Sequence, residues 1–293
     1  MNNSIVNQLF KCMTGFAVSI AVVSCGHSDT KEPVSDNVMK DSTAVKSGDS
    51  AVFYNFPSAL QITSLFKKSG LTYVDGITNP QKDPTKYTSI FSKSLNLGIY
   101  AADLAYCVLN KQNQESLNYM KVSTDLASSL GMSSILESGN FGKRFELNID
   151  NEDTLRNIIS ELQMEADTYL HDNDQQFIST IGFCGAWTEV MYIGTKVFEQ
   201  SKGRELNDKI SEQMVLLSRI IAVLRSEQKK DPAIAELLKE MNGLLDVYNG
   251  FDSVKRSKAE NKEEELNLTV GLSEQEFAAL VKKLADVHQS LLK

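Results

Sequence analysis

Two carboxylates are the residues of this chain best placed to do chemistry, because each is the single charge in a long apolar run. Asp103 is the one charged residue of LNLGIYAADLAYCVL (95–109), and Glu189 is the one charged residue of FISTIGFCGAWTEVMYIGT (177–195). An acid on a helix that is apolar on all sides has two readings. In the first, the two helices enclose a ligand pocket in which Tyr100, Tyr106, Trp187 and Tyr192, with Phe183, wall in one or both carboxylates. In the second, each acid accepts hydrogen bonds from hydroxyls or a helix N-terminus and fixes helix register. If both occupied one site, like-charge repulsion and loss of water would raise at least one pKa.

The cysteines offer a further possibility. Cys107 follows Asp103 by four residues and Cys184 precedes Glu189 by five. In an antiparallel pair with the acids level, those offsets would bring the sulfurs to one level and allow a disulfide in an oxidising compartment. Buried free thiols are the other reading. No metal or other cofactor is expected. His27, His171 and His288 complete no Glu-x-x-His pattern, and neither Cys107 nor Cys184 belongs to a Cys-x-x-Cys. The Gly-x-Ser-x-Gly elbow, the phosphate-binding Gly-Lys loop and the dinucleotide fingerprint are all missing. An enzyme using Asp103 or Glu189 as acid or base is therefore the runner-up to a non-catalytic binding or interaction module, and a structural scaffold is a third class.

The elements that must position these residues read as helices. After Phe56-Pro57 the apolar residues fall at helical spacing, and alternating β-type runs are scarce. The expected spans are 58–69, 84–110, 113–130, 152–171, 175–201, 204–229, 232–250 and 273–291. The punctuation agrees. Gly70 follows Lys67-Lys68 at a helix end, Asp83-Pro84 and Asp231-Pro232 place a capping acid before a proline, and Ser273 with Glu276 forms a capping box. Lys255 to Glu265 is charge-dense and reads as an exposed loop. Laying Asp103 over Glu189 also lays Tyr106 over Tyr192, which suggests a degenerate repeat of a helical hairpin. Gly98, Gly182, Gly185 and Gly194 weaken these helices, and close backbone packing is the expected return. The expected fold is all-α, a bundle of about eight helices.

The N-terminal region has a different character. Lys11 is followed by an uncharged run from Cys12 to Ser24, too short to span a bilayer, which ends in Val22-Val23-Ser24-Cys25. These four residues resemble the lipobox of bacterial lipoproteins. The resemblance implies cleavage after Ser24 and acylation of Cys25, with the chain held to a membrane by several acyl chains. The expected organisation is a signal peptide at 1–24, a lipidated cysteine and disordered tether at 25–51, and a helical domain at 52–293. The expected location is the cell envelope, most simply the outer membrane, on a face the sequence does not specify.

Composition limits the partners. The chain of 293 residues carries a net charge of -8, and removing residues 1–24 takes away one cation and no acid. An acidic surface of this kind does not bind the phosphate backbone of nucleic acid. An unidentified protein or small-molecule ligand is the partner expected beyond the membrane. Finally, the stretches Asn96 to Tyr106 (NLGIYAADLAY) and Gly185 to Tyr192 (GAWTEVMY) are similar to two signature stretches of a group of uncharacterised all-helical bacterial lipoproteins. That resemblance covers the chain from about Phe56 onward and implies the helical fold, with no activity attached.

Overall fold

Eight long helices carry the fold, and their spans follow the apolar spacing of the sequence. The structure is a computed structural model that describes residues 56–260 and 270–292, together with the backbone of two three-residue strands, Ala44–Lys46 and Val52–Tyr54, paired antiparallel. Cys25, its lipobox and His27 lie outside the described residues, as does the tether apart from the first strand. All described residues belong to one compact unit.

The long helices are α1 (Ala59–Lys68), α2 (Ile90–Leu109), α3 (Asn113–Ala127), α6 (Glu152–Asp172), α7 (Gln176–Ser201), α8 (Arg204–Glu227), α9 (Ala233–Gly250) and α11 (Glu274–Leu291). Short helices α4 (Ser133–Gly139) and α5 (Phe141–Leu147) bridge α3 to α6, and α10 (Asp252–Glu260) follows α9. The fold is all-α. The buried stripe of α8, with Leu206, Ile210, Met214, Leu217, Ile221 and Leu224, has the spacing of one helical face.

The expected stops and starts are in place. Gly70 has φ +97°, and the N–H of Leu71 reaches the carbonyl of Phe66 at 2.9 Å, closing α1 with a Schellman turn. Ser273 and Glu276 cap α11 reciprocally. Two expectations need correction. The helix expected from residue 84 starts at Ile90, because Asp83-Pro84 caps only a single 3-10 turn over Pro84–Lys86. The segment read as a loop from Lys255 is helical through Glu260, since its Lys, Arg, Ala and Glu residues are good helix formers whatever their charge, and Val254 anchors it at 1% exposure.

The centre of the molecule is the pair α2 and α7, which run parallel with their backbones in near contact. A Cβ added at Gly98 would stand 1.8 Å from the Gly182 carbonyl oxygen, and one at Gly185 would stand 2.2 Å from that of Leu95. Only glycine permits this approach, which accounts for glycines inside two buried helices. Gly194 serves another neighbour, because Phe66 of α1 occupies the space its side chain would need. Each central helix turns back into an antiparallel partner, α2 into α3 and α7 into α8, matching the expected pair of hairpins. α11 then lies antiparallel along α7, with Phe277 against Phe198 and His288 against Tyr192.

Candidate functional site

Parallel packing of α2 on α7 brings Asp103 and Glu189 face to face. Both are 0% exposed, and the two carboxyls are close enough to influence each other's ionisation. The outer oxygens are spoken for. Asp103 Oδ2 accepts from the backbone N–H and the side-chain amide of Asn79, at 3.2 and 3.1 Å, and Glu189 Oε2 lies 2.6 Å from His288 Nε2. Asp103 Oδ1 and Glu189 Oε1 are buried with no hydrogen-bond partner among the described residues. Two carboxylates cannot bond each other without a proton, so burying both together demands that at least one be protonated, and a protonated acid can donate to its neighbour.

Electrostatics favours the protonated form of both acids. Burial raises the Asp103 pKa well above the usual carboxylate range, and the Glu189 charge adds to it, outweighing the Asn79 hydrogen bonds. Burial pushes Glu189 up to about 8. His288 moves the opposite way, down to about 4, because burial disfavours the imidazolium and the Lys196 ammonium repels it. Glu189, itself held in the protonated form by burial, offers it little opposing charge. His288 is therefore neutral, is hydrogen-bonded through Nε2 to Glu189, and stacks flat on Tyr192 at 3.8 Å between ring centroids.

The other aromatic residues expected around the acids do different work. Tyr106 fastens the long α1–α2 loop by donating to the Thr72 carbonyl at 2.9 Å and accepting from the Val74 N–H at 2.7 Å. Tyr100 does the same further along, donating to the Pro80 carbonyl and accepting from the Lys82 N–H, both at 3.1 Å. Tyr119 of α3 donates to the Asn79 carbonyl at 2.5 Å, locking the residue that covers Asp103. Trp187 is fully buried and packs in the core. Asp103 and Glu189 thus tie the loop, α2, α7 and α11 into one buried network.

Cys107 and Cys184 are buried free thiols. The disulfide geometry assumed antiparallel helices, and in the parallel pair the offsets add instead of cancelling. Nine residues of rise, on the order of 13 Å, separate the levels of the two sulfurs.

Space for a ligand lies on the other side of α2. A cleft of about 550 Å³ opens among α2, α3, α6 and α7, with Phe56 and Pro57 at one wall and the start of α4 at another. Leu97, Gly98, Ala101 and Leu104 of α2 line it, and Gly182, Phe183 and Ala186 of α7 do so too, whereas Asp103 and Glu189 are not among its lining residues. Of the aromatic residues considered from sequence, Phe183 alone belongs to the cleft, and it stacks on Phe56 at 4.1 Å. Polar groups collect where α6 meets α7: Gln163, Asp167 and His171 face Gln176, Ser179 and Thr180. Ser179 donates to Asp167 at 3.0 Å. Ser123, 6% exposed in the cleft wall, has a hydroxyl with no hydrogen-bond partner.

Sequence reasoning missed Asn79 and the cleft. His288 left a signal, since it extends the apolar stripe Phe277, Leu280, Val281, Leu284 and Val287 of α11. Among the described residues no group of His, Cys, Asp and Glu is arranged to hold a metal ion, and no helix is long and apolar enough to cross a membrane. Comparison with family models, with curated proteins and with solved structures finds no match for the chain.

Proposed function

We propose that the protein is a lipid-anchored module of the cell envelope that binds a small apolar ligand without transforming it. The observation that carries the binding is the cleft, whose volume of about 550 Å³ and largely aliphatic wall are those of a small-molecule site with a few polar groups at one edge. The anchoring rests on the match of Val22 to Cys25 to the lipobox, with acyl chains on Cys25 making the membrane the second partner. Acid or base catalysis by Asp103 and Glu189 has no support in the geometry, because both are wholly buried and neither lines the cleft. A scaffold would present a broad apolar face, whereas Ile90, Leu147 and Met164, the exposed large apolar side chains among the described residues, sit on three different helices.

The test uses N-phenyl-1-naphthylamine, a neutral dye that brightens in apolar surroundings. The wild-type chain should bind it saturably, and Ala166→Trp, which places an indole in the cleft, should abolish the signal while leaving the helical signal and melting temperature intact. Equal binding by both proteins, or by neither, would remove the cleft as the ligand site.

A further inference from the structure

We propose that the cleft selects a monocationic amphiphile, an ammonium group carried on an aliphatic or aromatic body, and seats the ammonium against Asp167. This rests on the cleft being a binding site and adds the class of ligand. Among the described residues, the charged and titratable ones of its lining are Asp167, His171 and Glu227, with no lysine or arginine. Glu227 already has a counter-ion, with Lys230 Nζ 2.7 Å from its Oε2. His171 lies 3.5 Å from Asp172, which it would neutralise on protonation.

Asp167 differs from both. Its partners are the Ser179 hydroxyl at 3.0 Å and the Gln163 amide, both neutral, so its charge is solvated by dipoles and matched by no cation. The carboxylate is open to the cleft yet ringed by protein, and the loss of surrounding water raises its pKa above the usual range. A ligand ammonium there would supply the missing charge through a charge-assisted hydrogen bond. A ligand carboxylate would meet an acid with no cation to offset it, which is discrimination by repulsion. The body of the ligand has an aliphatic wall to rest on, formed by Leu97, Leu104, Met132, Leu136, Ile159 and Leu162.

Calorimetric titration of the full chain in lipid nanodiscs, with empty nanodiscs as the blank, tests this with three probes of one chain length: octylamine, octan-1-ol and octanoate. Octylamine should bind about tenfold or more tighter than octanoate, and Asp167→Asn should weaken octylamine by about tenfold while leaving octan-1-ol within about twofold. If octan-1-ol binds and is lost in Ala166→Trp, but octylamine shows no preference or no response to Asp167→Asn, the charge selection is overturned and the binding site stands. If none of the three binds, the cleft reading falls with it.

Discussion

At the residue scale the molecule turns on one buried pair of acids. Asn79 donates to Asp103 and His288 is hydrogen-bonded to Glu189, so truncating either acid leaves buried polar groups of Asn79 or His288 without a partner. Asp103→Ala or Glu189→Ala should cost about 1 to 3 kcal/mol in urea unfolding, against less than about 0.5 for exposed Glu236→Ala. Asp103→Asn should be far milder, because its carbonyl still accepts from Asn79 and its amide donates to Glu189. The pH dependence follows from the same burial. Acids that stay protonated in the folded protein and ionise in the unfolded chain make folding take up protons, so their contribution is fully present below the ordinary carboxylate range and is lost as pH rises through about 8. His288, lowered to about 4, opposes this only up to its ordinary value of 6.5. From pH 6.5 to 8.5 the wild-type chain should therefore lose about 1 to 2 kcal/mol, and Asp103→Asn should lose distinctly less. Parallel curves for the two proteins would contradict the raised ionisation of the pair. The sequence made the two acids conspicuous because they interrupt apolar helices. It could not show that they meet, since that depends on helix direction, nor that Asn79, in a loop without periodicity, would be the residue to cover Asp103.

At the element scale, the contact of α2 with α7 depends on side chains that are missing. The glycines at 98 and 185 let two backbones touch, and a methyl group at either would strike a carbonyl oxygen. Gly98→Ala should cost about 3 kcal/mol or more, beyond the 1 to 3 typical of overpacked cores, because backbone cannot rotate away as a side chain can. Gly142→Ala, with nothing near the added Cβ, should be neutral or slightly stabilising through helix propensity. Melting temperatures of the two variants check this directly, and similar values would mean the helices are not in backbone contact. The helices and most of their caps were legible because spacing, capping boxes and Gly70 are local signals. The parallel direction of α2 and α7 was not, because between them runs a long connection through α3 to α6 that no local rule orients. The disulfide expectation failed on that one point. The helix α10 is hidden for a different reason, because dense charge is the signal of a loop although the residues bearing it favour helix.

At the scale of the whole molecule, the body holds a cleft that its buried acids do not line, and the proposed anchor at Cys25 has its own test. Replacing Cys25 by Ala should leave the chain without acyl groups and move it from the membrane fraction to the soluble one, and continued detergent dependence with an unmodified N-terminus would contradict the anchor. The cleft was invisible in the sequence, since its lining comes from several helices and consists of residues that would serve equally in a filled core. Its polar edge, by contrast, is written in ordinary surface residues of α6 and α7 whose meeting only the fold reveals. The measurement that bears most directly on the central claim is native mass spectrometry of the full chain purified from membranes, beside Ala166→Trp purified in the same way. The account predicts a non-covalent small molecule retained by the wild-type protein, released on denaturation and missing from the variant. A wild-type spectrum free of any such mass, from protein that also fails to take up an apolar probe, would contradict it.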